Sequence, residues 1–98
     1  MKKVVDEKFY EINDFWGDLM PMMAMEEAGE FIQAVSKFER YKKLTPFPEQ
    51  WDRFTKLDDV IKEMADLIIA MEALCARYDI DLDDLEHAIE EKLDRNYE

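Results

Sequence analysis

Ninety-eight residues form one domain, large enough to bury about two-thirds of the surface its unfolded chain exposes and too small for two cores. Apolar residues make up 48% of the chain, but two Gly and three Pro are too few turn-formers for a β-sandwich or barrel, so an all-α fold is expected over residues 1–98. Thirteen Lys and Arg against 25 Asp and Glu give a formal net charge of −12, which argues against nucleic acid as a partner: a phosphate backbone would be repelled unless divalent cations stood between.

The chain opens on Met1-Lys2-Lys3-Val4-Val5 but meets Asp6 and Glu7 before a signal-like apolar segment develops. A first helix is predicted from about Val5 to Trp16, with Phe9, Ile12, Phe15 and Trp16 at helical spacing and Gly17 as its stop. A second begins near Pro21, whose fixed φ suits a first turn, and runs to about Lys43, before Pro46 and Pro48 forbid helix. Between Thr45 and Phe54 a loop is expected, and its Phe47, Trp51 and Phe54 are too many large aromatics for a solvated linker. The third predicted helix, about Lys56 to Tyr78, is apolar on nearly every face through its middle, which marks it as central. In so short a chain, that implies cover from other subunits. A fourth helix runs from about Asp81 to Asn96, with Asp81 or Asp83 as N-cap and acids complementing the dipole. The expectation is a four-helix bundle completed by oligomerisation. The longest apolar run, Leu67 to Ala76, is broken by Glu72 and far below the roughly 20 residues that cross a bilayer. The lone Cys75, among Ala73, Leu74 and Ala76, reads as core in a reducing compartment, so a soluble, cytoplasmic protein with no membrane partner is expected.

Projected at 100° per residue, the second helix places Glu27 inside an apolar stripe formed by Met20, Met23, Ala24, Phe31, Ala34 and Phe38. Glu30 follows one turn on, with Glu26 farther round. The third helix repeats the arrangement: Glu63 shares its bearing with Leu67, Ala70 and Leu74, and Asp66 follows at i+3. Carboxylates in such places cost several kcal/mol each unless protonated or compensated by a cation. An all-oxygen donor set suits a hard divalent ion, Mg²⁺ above all, which is commonly held by a few carboxylates plus substrate phosphates. The competing account is that these acids simply make helix-surface pairs, for example Glu26 with Lys37.

The sequence Glu26-Glu27-Ala28-Gly29-Glu30, followed by Glu63-Met64-Ala65-Asp66, resembles the EExxE and ExxD motifs of the MazG-like all-α nucleoside triphosphate pyrophosphohydrolases. Trp16-Gly17, the run from Met22 to Lys37, Glu63 to Met71 and the terminal Lys92, Arg95 and Asn96 extend the resemblance to small phage-type and bacterial members. It implies Mg²⁺-dependent hydrolysis of a (deoxy)nucleoside triphosphate to monophosphate and pyrophosphate, with Mn²⁺ as a substitute ion, in a homodimer or homotetramer. It makes Glu27, Glu30, Glu63 and Asp66 the metal ligands and Glu26 a neighbouring acid that binds metal or orients water. Lys92, Arg95, Asn96 and, more weakly, Lys37 then approach the phosphates. The sequence departs from the family in a longer spacer between Glu30 and Glu63 and in Pro21, where close relatives often carry glutamine.

Among the aromatics, Trp16 is the first choice for stacking on a base. Residues 79–90 mimic the acid spacing of an EF-hand, but Asp84 stands where its glycine is required, and the acidic N-cap explains the run better. His87, the single histidine, cannot make the paired ExxH motifs of a di-iron bundle. Two other functions stay open: an acidic, non-enzymatic regulatory or DNA-mimicking protein, and a hydrolase of another pyrophosphate-containing nucleotide.

Overall fold

The computed structural model describes residues 6–44 and 56–97, with side chains to Arg95; the aromatic loop from Thr45 to Phe54 lies outside the described residues. All regular structure among the described residues is helical. Helix α1, Glu7–Trp16, is capped by Asp6, whose carboxylate accepts from the Lys8 N–H at 2.9 Å. It ends on Gly17 at φ +55°, a left-handed conformation that glycine adopts without a Cβ penalty. A single 3₁₀ turn, Gly17–Leu19, then leads directly into α2, Met20–Leu44, with Pro21 in its first turn.

Helix α3, Lys56–Arg77, stops one residue short of the expected Tyr78, and the chain reverses through Asp79 at φ +51°. The Ile80 N–H donates to the Cys75 carbonyl at 2.9 Å, which takes up one of the helix's terminal acceptors. Asp81 is the cap of α4, Leu82–Tyr97: its carboxylate accepts from the Asp83 N–H at 2.9 Å.

The core is small and rich in alanine. Met20 and Ala24 of α2 meet Ala70 and Ala73 of α3, flanked by Ile12, Met23 and Leu74. Three of these four buried residues are alanine, so the two helix axes approach closely along this seam. A second cluster, Cys75 and Ala76, is covered by Phe9, Tyr10 and Leu82, which lays α1 and the first turn of α4 against the end of α3. Cys75 is core, as its neighbours imply.

The four helices are present, but among the described residues they do not close into one bundle. Leu82 packs against the core, whereas every residue from Asp83 to Arg95 is exposed. Leu85, Ile89 and Leu93 form an apolar stripe at i, i+4 and i+8 that is 43–51% exposed, and on α3 Ile61, Met64, Ile68 and Met71 are exposed as well. The radius of gyration is 17.0 Å, against about 13 Å for a compact domain of this length.

Candidate metal centre

Because α2 and α3 run antiparallel over the Met20–Ala73 seam, residues climbing α2 meet residues descending α3. The seam is sealed by alanines at one end; one turn farther on, it is lined by acids. Glu27 and Glu63 are half-buried, and Asp66 is exposed. One carboxylate oxygen from each of Glu27, Glu63 and Asp66 falls within 4.8 Å of the other two. Oxygens on opposite sides of one Mg²⁺ stand about 4 Å apart, given metal–oxygen bonds of 2.0–2.1 Å, so the trio is close to ligand spacing.

The Oε2 atoms of Glu27 and Glu63 are buried without a hydrogen-bond partner. An unpaired buried carboxylate oxygen is costly unless it is protonated or meets a cation. Both carboxyls respond accordingly. Burial pushes the Glu27 carboxyl above the ordinary glutamate value, aided by the negative charges of Glu30, Asp66 and Glu63 and by hydrogen bonding with Glu30. Glu63 is raised in the same direction, again by desolvation first, then by the charges of Glu30 and Asp66, a hydrogen bond with Glu30 and the charge of Asp59. Three carboxylates with oxygens this close, two of them also carrying a buried oxygen without a partner, form a donor set that fits a hard divalent cation.

Among the described residues, none of these acids makes an ion pair. The pairs present are Lys42 with Glu39 at 3.1 Å, Lys62 with Asp58 at 2.9 Å and Arg77 with Asp18 at 3.0 Å. The suggested surface pair of Glu26 with Lys37 is absent from this set. Glu26 is exposed and lies outside the trio, and Glu30 is an exposed neighbour that acts on both half-buried glutamates without joining their ligand group.

Two cavities flank the acids. The first, about 160 Å³, is lined by Glu30 and Glu63 together with Gln33, Lys37, Lys56 and Asp59. The second, about 180 Å³, is lined by Glu27 and Asp66 together with Trp16, Met20, Met23 and Ile69. Trp16, 37% exposed, therefore sits beside the acids, with Phe15 edge-on to its ring at 5.3 Å. Lys92 and Arg95 are exposed on α4 and line neither cavity, and the Asn96 side chain lies outside the described residues.

Sequence reading overlooked Arg77. Its guanidinium donates to the Gly17 carbonyl at 2.7 Å, to Asn13 Oδ1 at 3.4 Å and to Asp18 Oδ1 at 3.0 Å, tying the end of α3 to the corner that carries Trp16. A lone arginine in the last turn of a predicted helix reads as a dipole partner. Its tertiary role follows only from the left-handed Gly17, which turns a carbonyl toward it.

The sequence model of the phosphoribosyl-ATP pyrophosphohydrolase family matches residues 2–93. An uncharacterized protein of Bacillus subtilis strain 168, YvdC, is 31% identical over 96 residues, covering 94% of this chain and 89% of that protein. No solved structure matches.

Proposed function

The chain belongs to the phosphoribosyl-ATP pyrophosphohydrolase family, metal-dependent all-α enzymes that cleave a pyrophosphate bond in a nucleotide, and we propose that it hydrolyses a (deoxy)nucleoside triphosphate to the monophosphate and pyrophosphate. The observation that carries this reading is the convergence of Glu27, Glu63 and Asp66 with two unpartnered buried oxygens. A DNA mimic needs its carboxylates in an exposed row; half-burying two of them against an apolar seam serves a cation instead.

Glu27, Glu63 and Asp66 would hold Mg²⁺, with Mn²⁺ able to replace it. When bound, such an ion neutralises phosphate charge and acidifies a coordinated water. Glu30, exposed beside both half-buried glutamates, would take up the proton that an attacking water loses, and exposed Glu26 would orient that water. Trp16 offers a stacking face at the apolar cavity.

The active form is proposed to be a homodimer or homotetramer. The chain exposes 7766 Å², whereas a compact monomer of its mass exposes about 5,900 Å², and the α3 and α4 stripes are among its exposed apolar surface. Lys92, Arg95 and Asn96, on a helix that leaves its own bundle, would then serve the phosphates of a neighbouring subunit's site. No described helix is long and apolar enough to cross a membrane, and a cytoplasmic role in cleansing the nucleotide pool or supplying a monophosphate is proposed. The family match favours one second reading, a phosphoribosyl nucleotide as substrate.

The deciding assay is pyrophosphate release from a panel of canonical, modified and phosphoribosyl nucleotides, with Mg²⁺ and with EDTA. Mg²⁺-dependent release with the matching monophosphate is expected from at least one nucleoside triphosphate. Release from the phosphoribosyl compound alone establishes the second reading. Silence across the panel discards both.

A further inference from the structure

Each cavity beside the acids is smaller than the roughly 300–1,000 Å³ of an ordinary ligand pocket. They also differ in chemistry. One is walled by Trp16, Met20, Met23 and Ile69; the other is lined by two lysines, Lys37 of α2 and Lys56 of α3, and by Gln33, farther along the same pair of helices. The acids themselves divide between them, Glu27 and Asp66 toward the apolar side, Glu30 and Glu63 toward the basic side.

The register of the helices makes the basic side symmetric. Lys37 lies seven residues after Glu30 and Lys56 seven before Glu63, each two turns or about 10 Å along an antiparallel pair. Neither ammonium is in an ion pair among the described residues, although Asp59, Glu30 and Glu63 line the same cavity. Three carboxylates against two ammonium groups leave that cavity slightly negative, so a phosphate enters it only together with divalent cation.

We propose that the α2–α3 groove fixes the direction of the substrate, with the base at the Trp16 cavity and the departing pyrophosphate held by Lys37 and Lys56 at the other. This rests on the pyrophosphohydrolase reading and adds to it a polarity and a second phosphate-binding lysine, Lys56. Lysine ammoniums at the β and γ phosphates recognise the length of the phosphate chain. A substrate with a single terminal phosphate beyond the cleaved bond gains less from them.

The test is calorimetric binding of pyrophosphate, and separately of the nucleoside monophosphate product, to the full chain with Mg²⁺ and with EDTA. Wild type is compared with Lys37→Ala/Lys56→Ala and with the charge-keeping Lys37→Arg/Lys56→Arg pair, and helicity is followed by circular dichroism. The alanine pair should weaken pyrophosphate at least about tenfold and leave the monophosphate within about twofold; the arginine pair should keep most of the pyrophosphate affinity. Trp16→Ala should do the reverse, weakening the monophosphate and sparing pyrophosphate. An unchanged pyrophosphate affinity in the folded alanine pair, or an equal loss for both products, overturns the assigned direction while leaving hydrolysis intact. A wild-type chain that binds no Mg²⁺-pyrophosphate and releases none from any nucleotide overturns the proposal and the underlying activity together.

Discussion

Helices α3 and α4 are both amphipathic, both begin in acids and both end near an arginine, yet one is the centre of the molecule and the other stands clear of it. The difference lies in what each apolar stripe finds. The Ala70–Ala73 face of α3 meets Met20 and Ala24 at close range, whereas Leu85, Ile89 and Leu93 of α4 stay about half exposed. A cap, a dipole and a periodic pattern suffice to make a helix; where it packs depends on a complementary surface, which the proposed oligomer would give α4.

The sharpest way to break the comparison is to remove what α3 gives to the site. Glu63→Gln should lower kcat/KM by about a thousandfold, roughly 4 kcal/mol in transition-state terms, in steady-state assays of pyrophosphate release. Its effect on stability should be opposite. With a native carboxyl raised above its unfolded value, the folded chain binds more protons, so this group's contribution is favourable below the ordinary glutamate range. That contribution is lost as pH rises through the raised native value. In EDTA, the melting temperature of the wild type should therefore fall from about pH 4.5 toward neutrality, and Glu63→Gln should flatten that fall. Mg²⁺ should reverse the slope for wild type, since ligands must be deprotonated to bind it. Equal pH profiles for the two proteins in EDTA would show that Glu63 is not strained.

Next in size is the seam itself. Met20 is 2% exposed, and Met20→Ala should cost about 2–5 kcal/mol by chemical denaturation, because rigid alanines opposite cannot collapse into the space. The same measurement on α4 should behave differently. Ile89→Asp should leave helicity intact and convert the assembly to monomer by light scattering. If its mass is unchanged, the α4 stripe is not the interface.

How much of this was legible beforehand follows from the range of the forces involved. Helix ends governed by neighbours in sequence, Gly17 after Trp16 and Asp81 before Leu82, were readable to within a residue. The acids were readable because a charge inside an apolar stripe is a local contradiction, and Glu27 and Glu63 do lie half-buried at the α2–α3 seam. Long-range consequences were not. No pattern within α4 says that it leaves the bundle, and nothing in the spacing separates Glu30 from the trio formed by Glu27, Glu63 and Asp66. Lys56 was passed over because its significance comes only from standing opposite Lys37 across the groove.

The smallest expected effect tests whether the α1 corner is an independent element or part of the site. Arg77 holds that corner through the Gly17 carbonyl at 2.7 Å, while its partner Asp18 is fully exposed and contributes little as an ion pair. Arg77→Ala should thus cost about 1–2 kcal/mol, and Asp18→Ala almost nothing. Since the corner carries Trp16 to the edge of the apolar cavity, loosening it should also raise KM for the nucleotide while leaving Mg²⁺ affinity unchanged. A KM that does not move would detach Trp16 from base recognition and leave Arg77 as a strut for the fold, with the acids on α2 and α3 still held together by the alanine seam.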